Sequence, residues 1–178
     1  MQPQTRNSIW TIGHSTMAID DFIKLLNGKD IKVVVDVRTA PYSRFASQFN
    51  KLDLEAYLSQ RNFVYRFEGQ RLGGRPSDPA CYRSGVVPEH AEREEFLKLV
   101  DYEAVKRKDW FRQALNEVID LSANRRVALM CSEEDPLDCH RHRLISSALI
   151  DLGISVHHIR KDGTSFKAEQ PLLQTVMF

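Results

Sequence analysis

Residues 130–141 combine two thiols, several carboxylates, an imidazole and a guanidinium within a single short segment. Thiolates and carboxylates serve as nucleophiles or general bases, whereas imidazole and guanidinium groups bind and polarise anionic substrates. Four of its side chains are therefore candidates for catalysis or ligand binding: Cys131, Glu133, His140 and Arg141. An α/β protein places such residues where a strand gives way to a helix.

The elements around this segment position Arg141. The apolar run 126–131 predicts a buried parallel strand, and Asp135-Pro136 predicts a helix start with Asp as the N-cap. Apolar residues then recur with helical period up to position 152, which places Arg141 on the sheet-facing stripe. A buried guanidinium needs an anion, so we expect either a ligand or a structural ion pair with Asp36 or Glu133.

A second candidate motif follows the first predicted strand. Gly13, His14, Ser15 and Thr16 precede a predicted helix, and their main-chain and hydroxyl groups are candidate ligand contacts. His14 adds a titratable group and is a candidate catalytic residue. The plainer interpretation is a strand-to-helix turn, in which Gly13 permits the turn and Ser15 or Thr16 caps the helix.

A third motif ends the second predicted strand. Three consecutive valines indicate a strand buried on both faces, and a period of two places Asp36 and Arg38 on the same side. Asp36 either acts as a catalytic carboxylate or pairs with Arg38, Arg141 or the following loop. Beyond it, Ser43 and Arg44 suit phosphate or carboxylate oxygens.

A fourth motif contains Gly73 and Gly74 with an arginine on each side. The two glycines either adopt positive φ in a turn or let main-chain N–H groups approach a ligand. They lie in the stretch 67–89, which shows no clear period and is predicted to be a long loop or a lid.

The chain of 178 residues predicts one α/β domain. Strand-like and helix-like segments alternate, which indicates a three-layer, Rossmann-like or flavodoxin-like fold around a mainly parallel sheet of about five strands. The predicted strands lie near 8–12, 32–37, 63–66, 126–131 and 154–159. The predicted helices lie near 19–27, 52–60, 90–100, 103–122 and 137–152. The tail 162–178 ends in an apolar stretch predicted to dock on its own domain or on a second subunit of a homodimer.

Composition restricts the classes of partner. A formal net charge of +1 and a pI near 7.8 indicate no general affinity for nucleic acid or membranes. No apolar run is long enough to span a bilayer. Three cysteines without a signal peptide predict free thiols in a cytoplasmic protein.

Taken together and in this order, the four motifs resemble those of the bacterial and archaeal family called domain of unknown function 488. The resemblance extends from about Trp10 to Ile159 and differs in Ser132, where the family often has alanine. It implies an α/β domain whose motif residues gather at one end of the sheet, and it implies no established activity.

The motifs favour an enzyme that acts on a phosphorylated or nucleotide-like ligand by hydrolysis or group transfer. Parallel strands place their carboxyl ends at one edge, so the motif residues should meet there. Glu133 or Asp36 is the expected general base or nucleophile, and the expected anion clamps are Arg38, Arg44 and Arg141. A glycosidic bond in a nucleotide is one plausible target, because carboxylate pairs serve that chemistry. In a variant of this hypothesis Cys131 is the nucleophile.

Two other classes of function compete. The first is a metal site. No cofactor is the main prediction and zinc is the alternative to it; the candidate ligands are Cys131, Cys139, His140 or His142, with His14 as a further candidate. Seven residues separate the two cysteines, which is wider than the usual spacing of structural zinc ligands, and helix phase directs Cys139 away from the face of Arg141. The second is a non-enzymatic binding module for nucleic acid or a small molecule. For nucleic acid, the candidate surface is a strip of arginines and aromatic residues along the predicted loop: Arg61, Arg66, Arg71, Arg75 and Arg83 with Tyr65, Phe67 and Tyr82.

Overall fold

A mainly parallel β-sheet forms the centre of the computed structural model, which describes residues 8–90 and 93–171. Within those residues the sheet has six strands in the order β3-β2-β4-β1-β5-β6. Its strands are β1 Ser8–Gly13, β2 Val33–Asp36, β3 Val64–Phe67, β4 Val127–Cys131, β5 Ser155–Ile159 and β6 Ser165–Lys167. The first five strands run parallel, and β6 pairs antiparallel with β5. The α/β prediction is confirmed, and the sixth strand is an addition to it.

Helices cover both faces of the sheet. The α-helices are α1 Ile19–Gly28, α2 Lys51–Ser59, α3 Gly69–Leu72, α4 Arg93–Leu99, α5 Tyr102–Lys106, α6 Asp109–Asn124 and α7 Ser147–Asp151. A π-helix, Arg141–Ser146, runs directly into α7. Short 3-10 turns occur at Ser47–Phe49, Pro79–Cys81 and Pro136–Asp138.

The valines of β2 show why the sheet is buried on both sides. Val33 and Val35 point into one apolar cluster, shared with α6 and the π-helix. Val34 points into the other, shared with α1 and α2. Successive side chains of a strand alternate between faces, so an uninterrupted apolar run requires a helix layer on each face. The result is the three-layer arrangement that the sequence predicts.

The strand order departs from the two named expectations. Doubly wound folds of the Rossmann and flavodoxin types have the orders 3-2-1-4-5-6 and 2-1-3-4-5. Here β4 lies between β2 and β1. Hydrophobic runs identify strands but not their neighbours, so the α/β class follows from the sequence whereas this order does not.

Two predicted helices are interrupted. The helix expected over 103–122 is divided into α5 and α6, and Asp101 caps the first by accepting a hydrogen bond from the Ala104 N–H at 3.1 Å. In the helix expected over 137–152, Asp135 caps only the 3-10 turn. Cys139 is extended, with φ −138° and ψ 145°, and it ends that turn before the π-helix begins. The prediction of one continuous helix is therefore wrong at both places.

The stretch 67–89 is more ordered than expected. It contains α3 and a 3-10 turn, and Leu72, Cys81 and Tyr82 are buried in the core. The expectation that the whole stretch lacks regular structure is therefore wrong, and a role as a lid stays a prediction. In the predicted tail, residues 165–167 form β6, whereas the apolar end 172–178 lies outside the described residues.

Among the described helices, none combines the length and the apolar character that crossing a bilayer would require.

A buried polar chain links β1, β5 and the π-helix. Thr11 Oγ1 lies 2.7 Å from His158 Nδ1, and His158 Nε2 lies 3.0 Å from His142 Nδ1. All three side chains are buried. Burial, reinforced by the charge of Arg141, lowers the pKa of His158 to about 3.

Because His158 is buried in these hydrogen bonds, the free energy of unfolding should depend on pH. The unfolded state binds a proton at His158 below its ordinary pKa of 6.5, whereas the folded state does so only near pH 3, so stability should fall as pH falls through that range. We expect His158→Gln to flatten the decline measured by urea unfolding at pH 7, 6, 5 and 4, by about 1.4 kcal/mol for each unit of pKa shift removed. His157→Gln, at a more exposed position, is the control and should change the slope less. Parallel curves for the wild type and His158→Gln would contradict the assignment.

Candidate functional site

The predicted site residues gather at the carboxyl ends of β1, β2 and β4 in two clusters. We call the first the carboxylate cluster; it comprises His14, Asp36, Arg38 and Tyr65. We call the second the thiol cluster; it comprises Cys131, Cys139 and His140. The carboxylate cluster packs on the face covered by α1 and α2, and both cysteines belong to the apolar cluster of the opposite face.

In the carboxylate cluster Asp36 holds Arg38. The guanidinium donates from Nε to Oδ1 at 2.9 Å and from Nη2 to Oδ2 at 2.6 Å, and the Arg38 N–H adds a bond of 3.1 Å. The Tyr65 hydroxyl donates to Oδ2 at 2.7 Å. Because a carboxylate offers about four acceptor positions, these four bonds leave Asp36 little capacity for use as a base. The structural ion pair is the alternative that the geometry supports.

His14 is held between Arg38 and the main chain. Its Nδ1 lies 2.7 Å from the Ser15 carbonyl oxygen, its Nε2 lies 3.1 Å from Arg38 Nη1, and its ring stacks on Phe49 at 4.3 Å. Burial first, and then the charge of Arg38, lower the pKa of His14 to about 4. The neutral ring donates from Nδ1 and accepts at Nε2, so both nitrogens are used within the protein.

The turn after β1 differs from the prediction. Helix α1 begins at Ile19 after an N-cap alanine, Ala18, and no side chain caps it. Ser15 instead lies in the left-handed region of backbone conformation, with a φ of 47°. Non-glycine residues with positive φ are uncommon and concentrate at functional sites. The predicted capping role of Ser15 or Thr16 is wrong, because Met17 and Ala18 separate the turn from the first helical residue, Ile19.

Gly13 permits a close approach between β1 and the chain after β4. The His14 N–H donates to the Cys131 carbonyl at 2.9 Å and the Ser15 N–H donates to the Ser132 carbonyl at 2.8 Å. A Cβ atom at Gly13 would lie 1.5 Å from the Glu133 carbonyl oxygen. The glycine is therefore needed for space rather than for a positive φ.

Arg141 is completely buried beside this contact. Its Nη1 donates to the Glu133 carbonyl oxygen and its Nη2 donates to the Glu134 carbonyl oxygen at 2.9 Å. The Glu134 carboxylate instead binds Arg160 at 2.7 Å. The Arg141 guanidinium thus donates to main-chain carbonyls, whereas the sequence predicted a pair with the Asp36 or Glu133 carboxylate. Its charge fixes the path of the chain that leaves β4.

The thiol cluster brings together residues that the sequence separates. Cys131 Sγ and Cys139 Sγ each lie 3.8 Å from His140 Nδ1, and His140 Nε2 lies 3.1 Å from the Val37 carbonyl oxygen. The expectation that helix phase turns Cys139 away is wrong, because Cys139 is extended and precedes the π-helix.

The two thiols have opposite pKa shifts. A hydrogen bond donated by Cys139, supported by His140 and Arg141, holds the pKa of Cys131 well below its usual range, against the effect of burial. Burial, and then the neighbouring Cys131, raise the pKa of Cys139. The third cysteine, Cys81, is also free and buried, and burial raises its pKa.

The paired glycines support the thiol cluster by their small size. A Cβ atom at Gly74 would lie 2.8 Å from His140 Cγ, and one at Gly73 would lie 2.1 Å from the Gly69 carbonyl oxygen. Neither residue is among the glycines with positive φ. The turn explanation is therefore wrong, and close packing against His140 and α3 replaces it.

Other predicted ligand-binding residues lie nearer the surface. Thr16 and Arg44 are exposed, and Ser15, Ser43 and Glu133 are partly exposed. Ser43 Oγ accepts a hydrogen bond from the Ala46 N–H at 3.1 Å. Tyr65, which completes the carboxylate cluster, was predicted only as part of the nucleic-acid-binding strip and not as a partner of Asp36, because nothing in a predicted strand shows where a tyrosine hydroxyl ends.

The predicted basic strip is engaged within the protein. Arg66 and Arg71 bind Glu68 and Glu117, and the Tyr65 hydroxyl binds Asp36. Arg61 lies over the Tyr57 ring and Arg75 lies over the Phe96 ring. Arg83 donates a hydrogen bond to the Lys98 carbonyl. Arg66 and Arg71 are thus held in ion pairs, whereas the nucleic-acid-binding strip as a whole stays a prediction.

A cavity of about 600 Å³ lies at the opposite edge of the sheet, where Trp10, Lys32 and Arg126 line it. These residues lie at or near the amino ends of strands, so the cavity is separate from both clusters.

The fold and the site define an α/β protein in which thiol, imidazole and carboxylate side chains converge at the carboxyl edge of a mainly parallel sheet. The chain belongs to the family described as domain of unknown function DUF488, whose model matches residues 18–148. No curated protein and no solved structure matches the chain.

The contact at Gly13 can be tested with a matched pair of variants. Gly13→Ala should lower the free energy of unfolding by at least about 3 kcal/mol, because the new methyl group overlaps the main chain at Glu133. Gly28→Ala in α1 meets no atom within 4 Å and should be neutral or stabilising by up to about 1 kcal/mol. Urea unfolding measures both, and equal stability of the two variants would disprove the close approach.

Proposed function

We propose that the chain is an enzyme that binds a small anionic, nucleotide-like ligand at the carboxyl edge of the sheet and catalyses hydrolysis or group transfer, with Cys131 as nucleophile. One observation carries the proposal: Cys131 Sγ faces His140 Nδ1 at 3.8 Å while His140 Nε2 is held 3.1 Å from the Val37 carbonyl. A nucleophile, a base and a group that orients the base form the recurrent arrangement of nucleophilic catalysis.

The orientation of His140 decides which nitrogen can act. With Nε2–H donating to the Val37 carbonyl, Nδ1 carries the lone pair and faces the sulfur. Arg141 lies beside the pair, and its buried positive charge favours the thiolate. The thiolate in turn compensates a guanidinium whose hydrogen-bond acceptors are neutral carbonyls.

The proposed reaction has two balanced steps. Cys131 Sγ bonds to an electrophilic carbon or phosphorus as the bond to the leaving group breaks, and His140 transfers the thiol proton to the leaving group. Water, or another acceptor, then displaces the sulfur, and its proton returns through His140 to Cys131. Glu133 follows the same strand end and is proposed to orient the acceptor as a general base.

Ligand binding is proposed to combine fixed charge with surface contacts. Arg38 and Arg141 are buried and donate from both Nη atoms to partners within the protein, so they contribute a positive field rather than direct clamps. Direct contacts are assigned to the more exposed Arg44, Ser15 and Thr16. Because each arginine of the predicted basic strip has an intramolecular contact, no observation favours a nucleic-acid-binding module over this assignment.

The nucleophile can be tested by alkylation of metal-free protein. Iodoacetamide at neutral pH should modify Cys131 at least about tenfold faster than Cys81, because the pKa of Cys131 is lowered and an imidazole lies 3.8 Å from it, whereas burial raises the pKa of Cys81. Peptide mass spectrometry with time locates the modified cysteine, and Cys81→Ser is the control. Modification of Cys81 first, or equal rates, would remove Cys131 as nucleophile.

Turnover is measured with nucleoside monophosphates, nucleosides and p-nitrophenyl phosphate as probes. Cys131→Ser and His140→Gln should each lower the rate of a hydrolysed probe by at least about a hundredfold, and Glu133→Gln should lower it as well. Cys81→Ser should retain the wild-type rate. Full activity in Cys131→Ser would overturn the proposed mechanism, whereas full activity in Glu133→Gln would remove only the general base.

A further inference from the structure

The thiol cluster is also built as a set of metal ligands. Among the described residues, Cys131, Cys139 and His140 form the one group of three or more such side chains whose ligand atoms all lie within 4.8 Å of one another. All three are at least nine-tenths buried. Two sulfur atoms and one imidazole nitrogen are the donors that select zinc over magnesium or calcium.

The distances fit one tetrahedral ion. Zinc bonds of about 2.3 Å to sulfur and about 2.05 Å to nitrogen place these two ligand atoms about 3.6 Å apart in tetrahedral geometry. The observed separations from His140 Nδ1 are 3.8 Å for both Cys131 Sγ and Cys139 Sγ. An ion could therefore enter with side-chain shifts of a few tenths of an ångström.

The surroundings already orient the ligands as metal sites do. A histidine that binds a metal usually donates its other N–H to a carbonyl or carboxylate, as His140 Nε2 does to Val37 at 3.1 Å. The Arg141 N–H donates to Cys139 Sγ at 3.4 Å, which stabilises a thiolate ligand. These contacts fix the ligand atoms independently of an ion.

Charge balance permits an ion beside buried Arg141. A divalent ion bound by two thiolates and a neutral imidazole carries the same net charge as two protonated thiols and that imidazole. Binding then releases the thiol protons to solvent. The guanidinium consequently meets no additional net charge relative to the protonated site.

We propose that Cys131, Cys139 and His140 bind one zinc-class divalent ion, with the fourth coordination position left for water or ligand, and that the bound ion masks the Cys131 nucleophile. A sulfur lone pair shared with an ion is less available for attack on a substrate, so the ion acts as an inhibitor of the same centre. The masking rests on the proposed function, whereas the binding does not. The proposed nucleophile Cys131 and its base His140 are thus also ligands of the inhibiting ion.

Cobalt titration tests the binding. Protein stripped with chelator and reduced should bind one equivalent of Co²⁺, with thiolate-to-cobalt charge-transfer absorption and the intense visible bands of tetrahedral cobalt, and Zn²⁺ should displace it. Cys131→Ser, Cys139→Ser and His140→Gln should each weaken binding by at least about tenfold, since each removes one ligand. Cys81→Ser and His142→Gln are matched controls and should bind as the wild type does. Absence of these spectra, or spectra unchanged by the three ligand variants, would overturn the site.

Alkylation tests the masking and separates the two proposals. One equivalent of Zn²⁺ should slow iodoacetamide modification of Cys131 by at least about tenfold, and chelator should restore the rate. Rapid alkylation of the metal-free protein without cobalt binding supports the nucleophile and overturns the ion site. Cobalt binding with slow alkylation of the metal-free protein supports the ion site and overturns the nucleophile. Cobalt binding that leaves the rate at Cys131 unchanged overturns the masking.

Discussion

The buried charge of Arg141 constrains everything around the carboxyl edge of the sheet. A guanidinium removed from water must have hydrogen-bond acceptors, and here the Glu133 and Glu134 carbonyls supply two of them. Those carbonyls are available only because the chain leaving β4 folds back over Gly13, where no side chain obstructs it. The same fold-back sets the position of Cys131, and the π-helix that begins at Arg141 sets the positions of its neighbours.

The two clusters at this edge differ in how completely their polar groups are paired. In the carboxylate cluster each polar group is paired with another, so Asp36, Arg38 and His14 form a rigid unit with little capacity left for chemistry. In the thiol cluster the contacts are longer, and the atoms that face one another are two sulfurs and a ring nitrogen. Sulfur is more nucleophilic and binds soft metals better than the carboxylate oxygens do. The arrangement thus supports the thiol variant of the sequence-based hypothesis rather than Asp36 as a catalytic carboxylate.

The accuracy of the sequence-based predictions varied with the range of the interaction involved. Strands such as β2 are predictable because three valines in a row have few other uses than a strand buried on both faces. The Asp36–Arg38 pair was among the predicted alternatives, because residues that are two positions apart on a strand lie on the same side of it. The encounter of Cys131 with Cys139 was not predictable from helix phase, since it depends on the extended conformation at Cys139 that interrupts the expected helix. The Gly74 contact with His140 joins distant parts of the chain and leaves no periodic signal.

By itself the sequence determined the α/β class, the family, and the carboxyl ends of β1, β2 and β4 as the place where the motif residues lie. These follow from local periodicity and from motif order, which need no knowledge of spatial neighbours. Only the tertiary structure decided that β4 lies between β2 and β1, that Arg141 binds carbonyls, and that His140 faces two sulfurs. Those outcomes depend on which distant groups satisfy a buried charge or donor, and many pairings are compatible with the same local pattern until the whole core is packed.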